Sequence, residues 1–236
     1  MLLVALASFA DYLGTAARAP RRARTHARAA WLHRTARRHL ALLCIRPQVR
    51  GAFPPAGLLV ANHLSYLDIV VLAAQAPCVF VAKKEVAGWP LFGAFARLGA
   101  TLFVDRDRRG GVASVADEMR AVLAEGLVLV LFPEGTSSGG EQVLPFKTPL
   151  FEPVLALGAP ITAAAFDYAL AEGSVADEVC YWRDMTLLPH LLNVFAKPCV
   201  TAFLRIGSPR VRTGDRKQVA RALHAEVTAL RQTPAV

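Results

Sequence analysis

Six short apolar runs constrain the fold of this chain more strongly than any other feature of its sequence. Each is four to seven residues long and is mostly apolar at consecutive rather than alternate positions. Strands that are buried on both faces have this pattern, because helices cover both faces of a parallel sheet. The six predicted strands are 57–61, 78–82, 101–104, 127–132, 161–166 and 200–206.

Helical periodicity separates several of these runs. Apolar residues recur at helical spacing between residues 111 and 126, and Gly126 stands where a glycine commonly ends a helix. A second helical stripe follows Asp215, a residue type that caps helix N-termini. Strands alternating with helices predict an α/β fold with a mainly parallel sheet flanked by helices. We assign residues 51–236 to this domain.

Residues 1–50 differ in charge from the rest of the chain. They contain ten arginines and one acidic residue, Asp11, so their net charge of +9 equals that of the whole protein. Apolar residues such as Trp31 and Leu40 are interleaved with the arginines, which predicts a basic amphipathic helical segment suited to an anionic membrane surface. Nucleic-acid binding is a weaker alternative, because no nucleic-acid motif follows. An Arg-rich helix that merely packs on the domain is also compatible with this pattern.

The first ten residues, MLLVALASFA, resemble a short apolar anchor. Positive charge follows this stretch instead of preceding it, which argues against export and for attachment at the cytoplasmic face of the inner membrane. The hydrophobic fraction is 54%, yet the sequence has no run of about 18 apolar residues, so we expect contact with a membrane rather than a span. The segment can insert or lie flat. The four cysteines lack CxxC spacing, which favours free thiols.

Polar residues follow three of the predicted strands. Asn62 and His63 follow the first, Asp105 and Arg106 follow the third, and residues 133–136 follow the fourth. Ligands of open parallel sheets bind beyond the carboxyl ends of the strands. The three clusters therefore predict one functional rim.

His63 and Asp68 are five residues apart, at the point where a strand runs into a helix. On one continuous helix this offset turns the side chains about 140° apart, so they meet only if His63 precedes the helix and Asp68 lies in its first turn. The carboxylate then fixes the imidazole tautomer and leaves the other nitrogen as a general base. Because no G-x-S-x-G motif is present, this base would activate a substrate hydroxyl. The alternative is a helix cap beside a buried, hydrogen-bonded histidine.

Two further clusters offer groups for binding a polar substrate. Arg106 presents a planar fork that suits a phosphate, and Glu134 on a Pro/Gly turn can bind a polyol or orient that arginine. The alternatives are a surface arginine paired with Asp105 or Asp107, and an ordinary tight turn.

Four segments taken in order, "NHLSYLD", "LFVDR", "FPEGT" and "APITAAAF", resemble the four motifs of the glycerolipid acyltransferases, typified by the bacterial 1-acyl-sn-glycerol-3-phosphate acyltransferase. The resemblance extends from about residue 42 to residue 210. It implies transfer of an acyl chain from acyl-CoA or acyl carrier protein to the free hydroxyl of 1-acyl-sn-glycerol-3-phosphate, which forms phosphatidic acid. It implies no metal and no prosthetic group.

The resemblance also implies roles for individual residues. His63 matches the catalytic base and Asp68 the carboxylate that orients it, while Pro160 matches the fourth motif, which is linked to the acyl donor. The residues expected to bind substrate are Arg106, Glu134, Gly135, Thr136, Lys84 and Lys147.

The third motif departs from the family pattern in one position. Ser137 follows Thr136 where the family usually has arginine, so Lys147 or Arg106 would have to compensate for a missing phosphate ligand. A Ser-rich third motif followed by "VLPFK" also resembles the lyso-ornithine lipid acyltransferases, whose acceptor is a zwitterionic aminolipid without phosphate. The acceptor head group is therefore open at this point. A non-catalytic lipid-binding protein of the membrane surface is the alternative from another class.

Overall fold

The computed structural model describes residues 2–105 and 110–233, which form a seven-stranded sheet with helices on both faces. The strand order is β1-β7-β6-β2-β5-β3-β4. Five neighbouring strands, from β6 to β4, are parallel, while β7 is antiparallel to β6 and parallel to β1. The strands are β1 (Ile45–Arg50), β2 (Gly57–Ala61), β3 (Cys78–Lys83), β4 (Leu102–Val104), β5 (Val128–Leu131), β6 (Ile161–Ala169) and β7 (Val200–Ile206). The predicted α/β fold with a mainly parallel sheet is confirmed.

Two apolar cores lie on opposite faces of the sheet. Side chains of α2 and α3 contribute to one core, and side chains of α5 and α9 contribute to the other. The two central strands β2 and β5 are buried at every position, which explains their continuous apolar sequences. The α-helices are α1 (Leu2–Gly14), α2 (Arg24–Leu42), α3 (Tyr66–Ala73), α4 (Phe92–Leu98), α5 (Gly111–Ala124), α6 (Glu152–Ala156), α7 (Val175–Glu178), α8 (Leu187–Ala196) and α9 (Arg216–Gln232).

Both helices predicted from periodicity are present, as α5 and α9. Asp215 caps α9 as expected, because its Oδ1 accepts the backbone N–H groups of Lys217 (2.7 Å) and Gln218 (3.0 Å). The six predicted strands are also present, with ends shifted by up to three residues. β1 was not predicted. It reads IRPQVR and is largely exposed at the sheet edge, so it lacks the apolar pattern of the buried strands.

The N-terminal segment forms a helical hairpin, followed by β1. The indole N–H of Trp31 in α2 donates to the Ser8 carbonyl of α1 (2.6 Å). Asp11 of α1 pairs with Arg34 (2.9 Å) and Arg38 (3.0 Å) of α2. Both arginines lower the pKa of the Asp11 carboxyl, and the hydrogen bond from Arg34 has the largest effect. Within the described ranges, no helix has the length and apolar character needed to cross a membrane.

Candidate active site

The site lies at the carboxyl end of β2, where the turn after the strand is fixed by Asn62. The Asn62 amide donates to the Phe166 carbonyl of β6 (3.1 Å), and its oxygen accepts the Phe166 N–H (2.7 Å). Asn62 is buried, so both polar groups have partners without water. This two-sided bond holds the following residue, His63, at a defined position on the sheet rim.

His63 and Asp68 are in contact, as their spacing predicted. His63 precedes α3 and Asp68 lies in its first turn, and His63 Nδ1 is 2.8 Å from Asp68 Oδ2. Because an ionised carboxylate only accepts hydrogen bonds, Nδ1 carries the proton and Nε2 is the nitrogen that can take one from a substrate. The His63 ring also stacks on Phe132 of the turn after β5, with ring centres 4.2 Å apart and planes 20° apart.

The Asp68 carboxylate is fully buried and accepts four hydrogen bonds. In addition to His63, its Oδ2 accepts the backbone N–H groups of Leu64 (2.7 Å) and Ser65 (3.0 Å). Its Oδ1 accepts the hydroxyl of Tyr168 (2.5 Å). These donors stabilise the buried negative charge and fix the carboxylate plane. Burial, and then the charge of Asp68, raises the pKa of Tyr168 well above its ordinary value, so the phenol remains a donor.

A cavity of about 400 Å³ opens beside His63 and runs between α2, α3, α4 and the sheet. Most of its wall is apolar, and His63, Gly135 and Thr136 also lie on its lining. The apolar and aromatic lining residues include Leu32, Ala36, Ile69, Val70, Ala73, Phe80, Phe92, Phe95 and Ala96. A flexible hydrocarbon chain fits such a space better than a polar metabolite does.

Glu134 lies in the turn after β5 and is 3% exposed. Its Oε1 accepts the N–H of Leu144 (3.2 Å), while its Oε2 is buried and lacks a hydrogen-bond partner within the described structure. Burial raises the pKa of Glu134 to about 8, although the hydrogen bond from the Leu144 N–H acts in the opposite direction. The carboxyl group is therefore largely neutral at pH 7, and its O–H gives Glu134 a hydrogen-bond donor inside the site.

Glu134→Gln is expected to flatten the pH dependence of stability. The pKa of Glu134 is higher in the folded state than its ordinary value of 4.5, so its contribution is complete below pH 4.5 and is lost as the pH rises toward 8. Across that window the free energy of unfolding should fall by up to about 1.4 kcal/mol per pH unit more in the wild type than in the variant. Urea unfolding at pH 5, 6, 7 and 8 measures this difference. The exposed Glu118→Gln is the matched control, and parallel curves for Glu134→Gln and wild type would contradict the raised pKa.

The other predicted substrate-binding residues occupy different places. Gly135 is buried on the cavity with a φ of +72°, which favours glycine, and its N–H donates to the Phe132 carbonyl (3.1 Å). Thr136 is exposed at the same cavity. Lys84 is exposed and pairs with Asp105 (2.8 Å). Lys147 is exposed in the loop after β5, and its N–H donates to the Pro133 carbonyl (2.8 Å). Arg106 lies outside the described residues.

Pro160 lies far from His63. Its carbonyl accepts the N–H of Leu58 (2.9 Å) at the start of β2, whereas His63 follows the end of that strand. Five residues of extended chain separate the two ends, which corresponds to about 15 Å. Pro160, at the start of the fourth motif, therefore lies at the opposite end of the strands from the candidate base, whereas Phe166 at the end of that motif is bonded to Asn62, next to His63.

Two residues near the site were missed by the sequence analysis, Tyr168 and Phe132. Tyr168 reaches Asp68 because β6 continues beyond its parallel partner β2 and pairs there with β7 alone. No local sequence pattern indicates that contact, which joins residues 100 positions apart.

Another histidine, His190, is buried between the Tyr66 hydroxyl (3.0 Å) and the Cys180 carbonyl (3.0 Å), so it holds α8 in place.

Comparison with known proteins identifies the family of this chain. A family model described as Acyltransferase matches residues 46–167, and the chain belongs to the acyltransferase family. It is 39% identical to the lyso-ornithine lipid O-acyltransferase of Brucella abortus over 75% of this chain and 71% of that protein. It is 34% identical to the 1-acyl-sn-glycerol-3-phosphate acyltransferase of Neisseria gonorrhoeae over 56% of each.

A solved structure shares the fold. The 1-acyl-sn-glycerophosphate (LPA) acyltransferase PlsC from Thermotoga maritima has a TM-score of 0.67 with 19% identity, covering 96% of this chain and 85% of that one. The chain is thus an acyltransferase whose relatives have names that specify two different lysolipid acceptors.

Proposed function

We propose that this acyltransferase works at a membrane surface and transfers an acyl chain from acyl-CoA or acyl carrier protein to the free hydroxyl of a lysolipid. The observation that carries the proposal is the His63 and Asp68 pair (2.8 Å) at an apolar cavity. A binding protein has no need of an oriented base, which weighs against a non-catalytic function.

The proposed reaction is a direct transfer. His63 Nε2 removes the proton of the acceptor hydroxyl as its oxygen attacks the thioester carbonyl of the donor. When the carbon–sulfur bond breaks, the thiolate of the donor leaves and takes the proton from the imidazolium. The buried Asp68 carboxylate stabilises the imidazolium between these two proton transfers. The reaction needs neither a metal nor a prosthetic group.

The apolar cavity is the proposed site of an acyl chain. Its walls from α2, α3 and α4 offer hydrocarbon contacts over a length of helix, and His63 lies on the same lining. Burying a chain there removes its methylene groups from water, at about 0.8 kcal/mol for each group. The length of the cavity then selects the length of chain that fits.

Ala96→Leu is expected to shift the preference of the enzyme to shorter acyl chains. Ala96 of α4 is partly exposed and lies on the cavity wall, so the larger side chain reduces the space for the acyl chain. Rates with a series of donors from short to long measure the shift. The matched control is Ala121→Leu on the exposed side of α5. An unaltered chain-length profile in Ala96→Leu would contradict an acyl chain in this cavity.

We propose lyso-ornithine lipid as the acceptor, because the names of three similar proteins support it. Three relatives with that name, from Brucella abortus, Rhizobium meliloti and Rhodobacter capsulatus, are 35–39% identical over at least 75% of this chain. The Ser137 in the third motif supports the same acceptor, since this position then lacks a cation for a phosphate. The second candidate acceptor is 1-acyl-sn-glycerol-3-phosphate, which would place the enzyme in phospholipid biosynthesis, and the Neisseria relative supports it.

The deciding experiment presents both acceptors to the purified protein in parallel. Labelled acyl-CoA and acyl carrier protein are each offered with lyso-ornithine lipid and with lysophosphatidic acid, and His63→Ala serves as the blank. Product with lyso-ornithine lipid is the expected result. Product with lysophosphatidic acid alone would select the phosphatidate-forming reaction. No product from a folded protein with either acceptor and either donor would overturn the enzyme assignment.

Attachment to the membrane is proposed to involve the outer face of α1. Leu3, Leu6, Phe9 and Leu13 recur every three or four residues and are 48–81% exposed, whereas Ser8 on the inner side is buried against α2. An exposed apolar stripe next to an Arg-rich helix suits the surface of an anionic bilayer, such as the cytoplasmic face of the inner membrane.

The double variant Leu3→Asp/Leu6→Asp is expected to lose most of its binding to vesicles that contain anionic lipid. Aspartate removes apolar contact and adds repulsion from the anionic surface. Cosedimentation with vesicles measures the loss, and Leu157→Asp/Val211→Asp, at exposed apolar residues outside the N-terminal segment, is the control with the same charge change. Equal binding by both double variants, or retention on duplex DNA but not on vesicles, would contradict the membrane role of α1.

A further inference from the structure

Arg183 is a cationic residue at the catalytic cavity that no sequence motif indicated. It is exposed, and it lies on the lining of the cavity that also contains His63, Thr136 and Ser137. Its guanidinium carbon lies 3.8 Å from the centre of the Trp182 ring, a cation–π contact. Stacking limits the rotamers of a long side chain, so the guanidinium is already ordered before a ligand arrives.

The segment that carries Arg183 is attached to the loops of the active site. The N–H of Tyr181 donates to the Leu64 carbonyl (2.8 Å), directly after His63. The hydroxyl of Ser137 in the third motif donates to the Tyr181 carbonyl. Arg183 is therefore tied through its neighbours to both the candidate base and the turn after β5.

Trp182 is positioned by contacts with Ala176 of α7 and with Gly139 of the loop after β5. Its indole N–H donates to the Ala176 carbonyl (2.8 Å), and its ring fills the space beside Gly139. A Cβ at residue 139 would lie 2.4 Å from the Trp182 ring, so only glycine leaves room for this ring position. The third motif region therefore supports the ring on which the Arg183 guanidinium lies.

The backbone of Arg183 is held in an unfavourable conformation. Its φ is +52°, in the left-handed region, where a residue other than glycine costs about 1–2 kcal/mol. Such a conformation persists only where surrounding contacts enforce it, and functional sites are where these conformations concentrate. Here the hydrogen bonds of Tyr181 and Trp182 enforce it on the residue that follows them.

We propose that Arg183 binds the anionic group of the acceptor head group and thereby positions the acceptor hydroxyl at His63. The anionic group is the carboxylate of an ornithine lipid or the phosphate of a lysophosphatidic acid, and the planar guanidinium can bind either through two parallel hydrogen bonds. This inference rests on the proposed function. An acceptor is favoured over a donor because the pantetheine arm of either donor holds its phosphates many bonds from the thioester.

The test is a set of kinetic constants for Arg183→Ala and Arg183→Lys with lyso-ornithine lipid and with lysophosphatidic acid. For the acceptor that the wild type uses, Arg183→Ala should raise the acceptor KM roughly 10- to 100-fold, the effect expected for a charge-assisted hydrogen bond. Its kcat and the KM for the donor should change less than threefold. Arg183→Lys should give an intermediate KM, because lysine keeps the charge but not the fork.

Three further variants make the test specific. Gly139→Ala displaces Trp182 and should raise the acceptor KM in the same direction, while Arg120→Ala, at a half-exposed position on α5, should match the wild type. Lys83→Ala removes another cation of the cavity lining and should affect the acceptor KM less than Arg183→Ala does. Melting temperatures of all variants show whether each is folded.

The outcomes separate this inference from the proposed function. An active wild type with an unchanged acceptor KM in Arg183→Ala, or with a raised donor KM instead, would overturn the role of Arg183 and leave the acyl transfer intact. A larger effect of Lys83→Ala would assign the anionic group to Lys83. A folded wild type that transfers to neither acceptor would overturn the proposed function itself.

Discussion

His63→Ala should reduce acyl transfer by about 10²- to 10⁴-fold, the usual contribution of a general base. The acceptor hydroxyl is a poor nucleophile while it keeps its proton, and the Nε2 of His63 can take that proton at the cavity because its Nδ1 is bonded to Asp68. The stability of the variant should change little, because His63 is only part-buried and the carboxylate of Asp68 keeps three other donors. Initial rates at saturating donor and acceptor, together with thermal melts, measure both effects.

His26→Ala is the matched control for this prediction. His26 is half-exposed on α2 and pairs with Glu125, so its loss tests whether removal of any histidine affects the rate. The expected rate of His26→Ala is that of the wild type. A His63→Ala protein that melts like the wild type and still transfers acyl chains within a few-fold of its rate would rule out His63 as the base.

The contact between His63 and Asp68 could be predicted because its cause is local. A five-residue offset across a strand-to-helix junction leaves one arrangement in which the side chains meet, and α3 begins where that arrangement requires. The six buried strands were likewise predictable, since burial on both faces requires a continuous run of apolar residues. The exposed edge strand β1 has no such run.

The parts of the site that could not be predicted depend on tertiary contacts between distant segments. Tyr168 reaches Asp68 from 100 residues away, and Ser137 reaches Tyr181 from 44 residues away. No spacing in the sequence predicts either contact, because the order of strands in the sheet and the packing of loops decide which segments meet. The cavity is equally non-local, since its walls come from α2, α3, α4, β3 and several loops. Arg183 became a candidate only when these contacts were known.

Asp68→Asn is expected to reduce both the rate and the stability, and the two losses have separable causes. The carboxylate accepts hydrogen bonds from His63, two backbone N–H groups and Tyr168, all in a fully buried position. An amide has one oxygen and two N–H donors, so at least one of the four donors must face another donor. Leaving a buried donor unsatisfied costs about 1–3 kcal/mol in the free energy of unfolding.

The rate should fall by about 10²- to 10⁴-fold, because the neutral amide of asparagine no longer stabilises the imidazolium that forms at His63. Tyr168→Phe separates the two effects. It removes the donor to Oδ1 and should cost about 1–3 kcal/mol in stability, while the bond from His63 to Oδ2 and most of the rate remain. Urea unfolding and kcat for both variants test this. Tyr168→Phe keeps the charge of Asp68, whereas Asp68→Asn removes it. If the two variants had equal stability and lost the same rate, the hydrogen-bond network alone would account for the rate, and the charge of Asp68 would not contribute to catalysis.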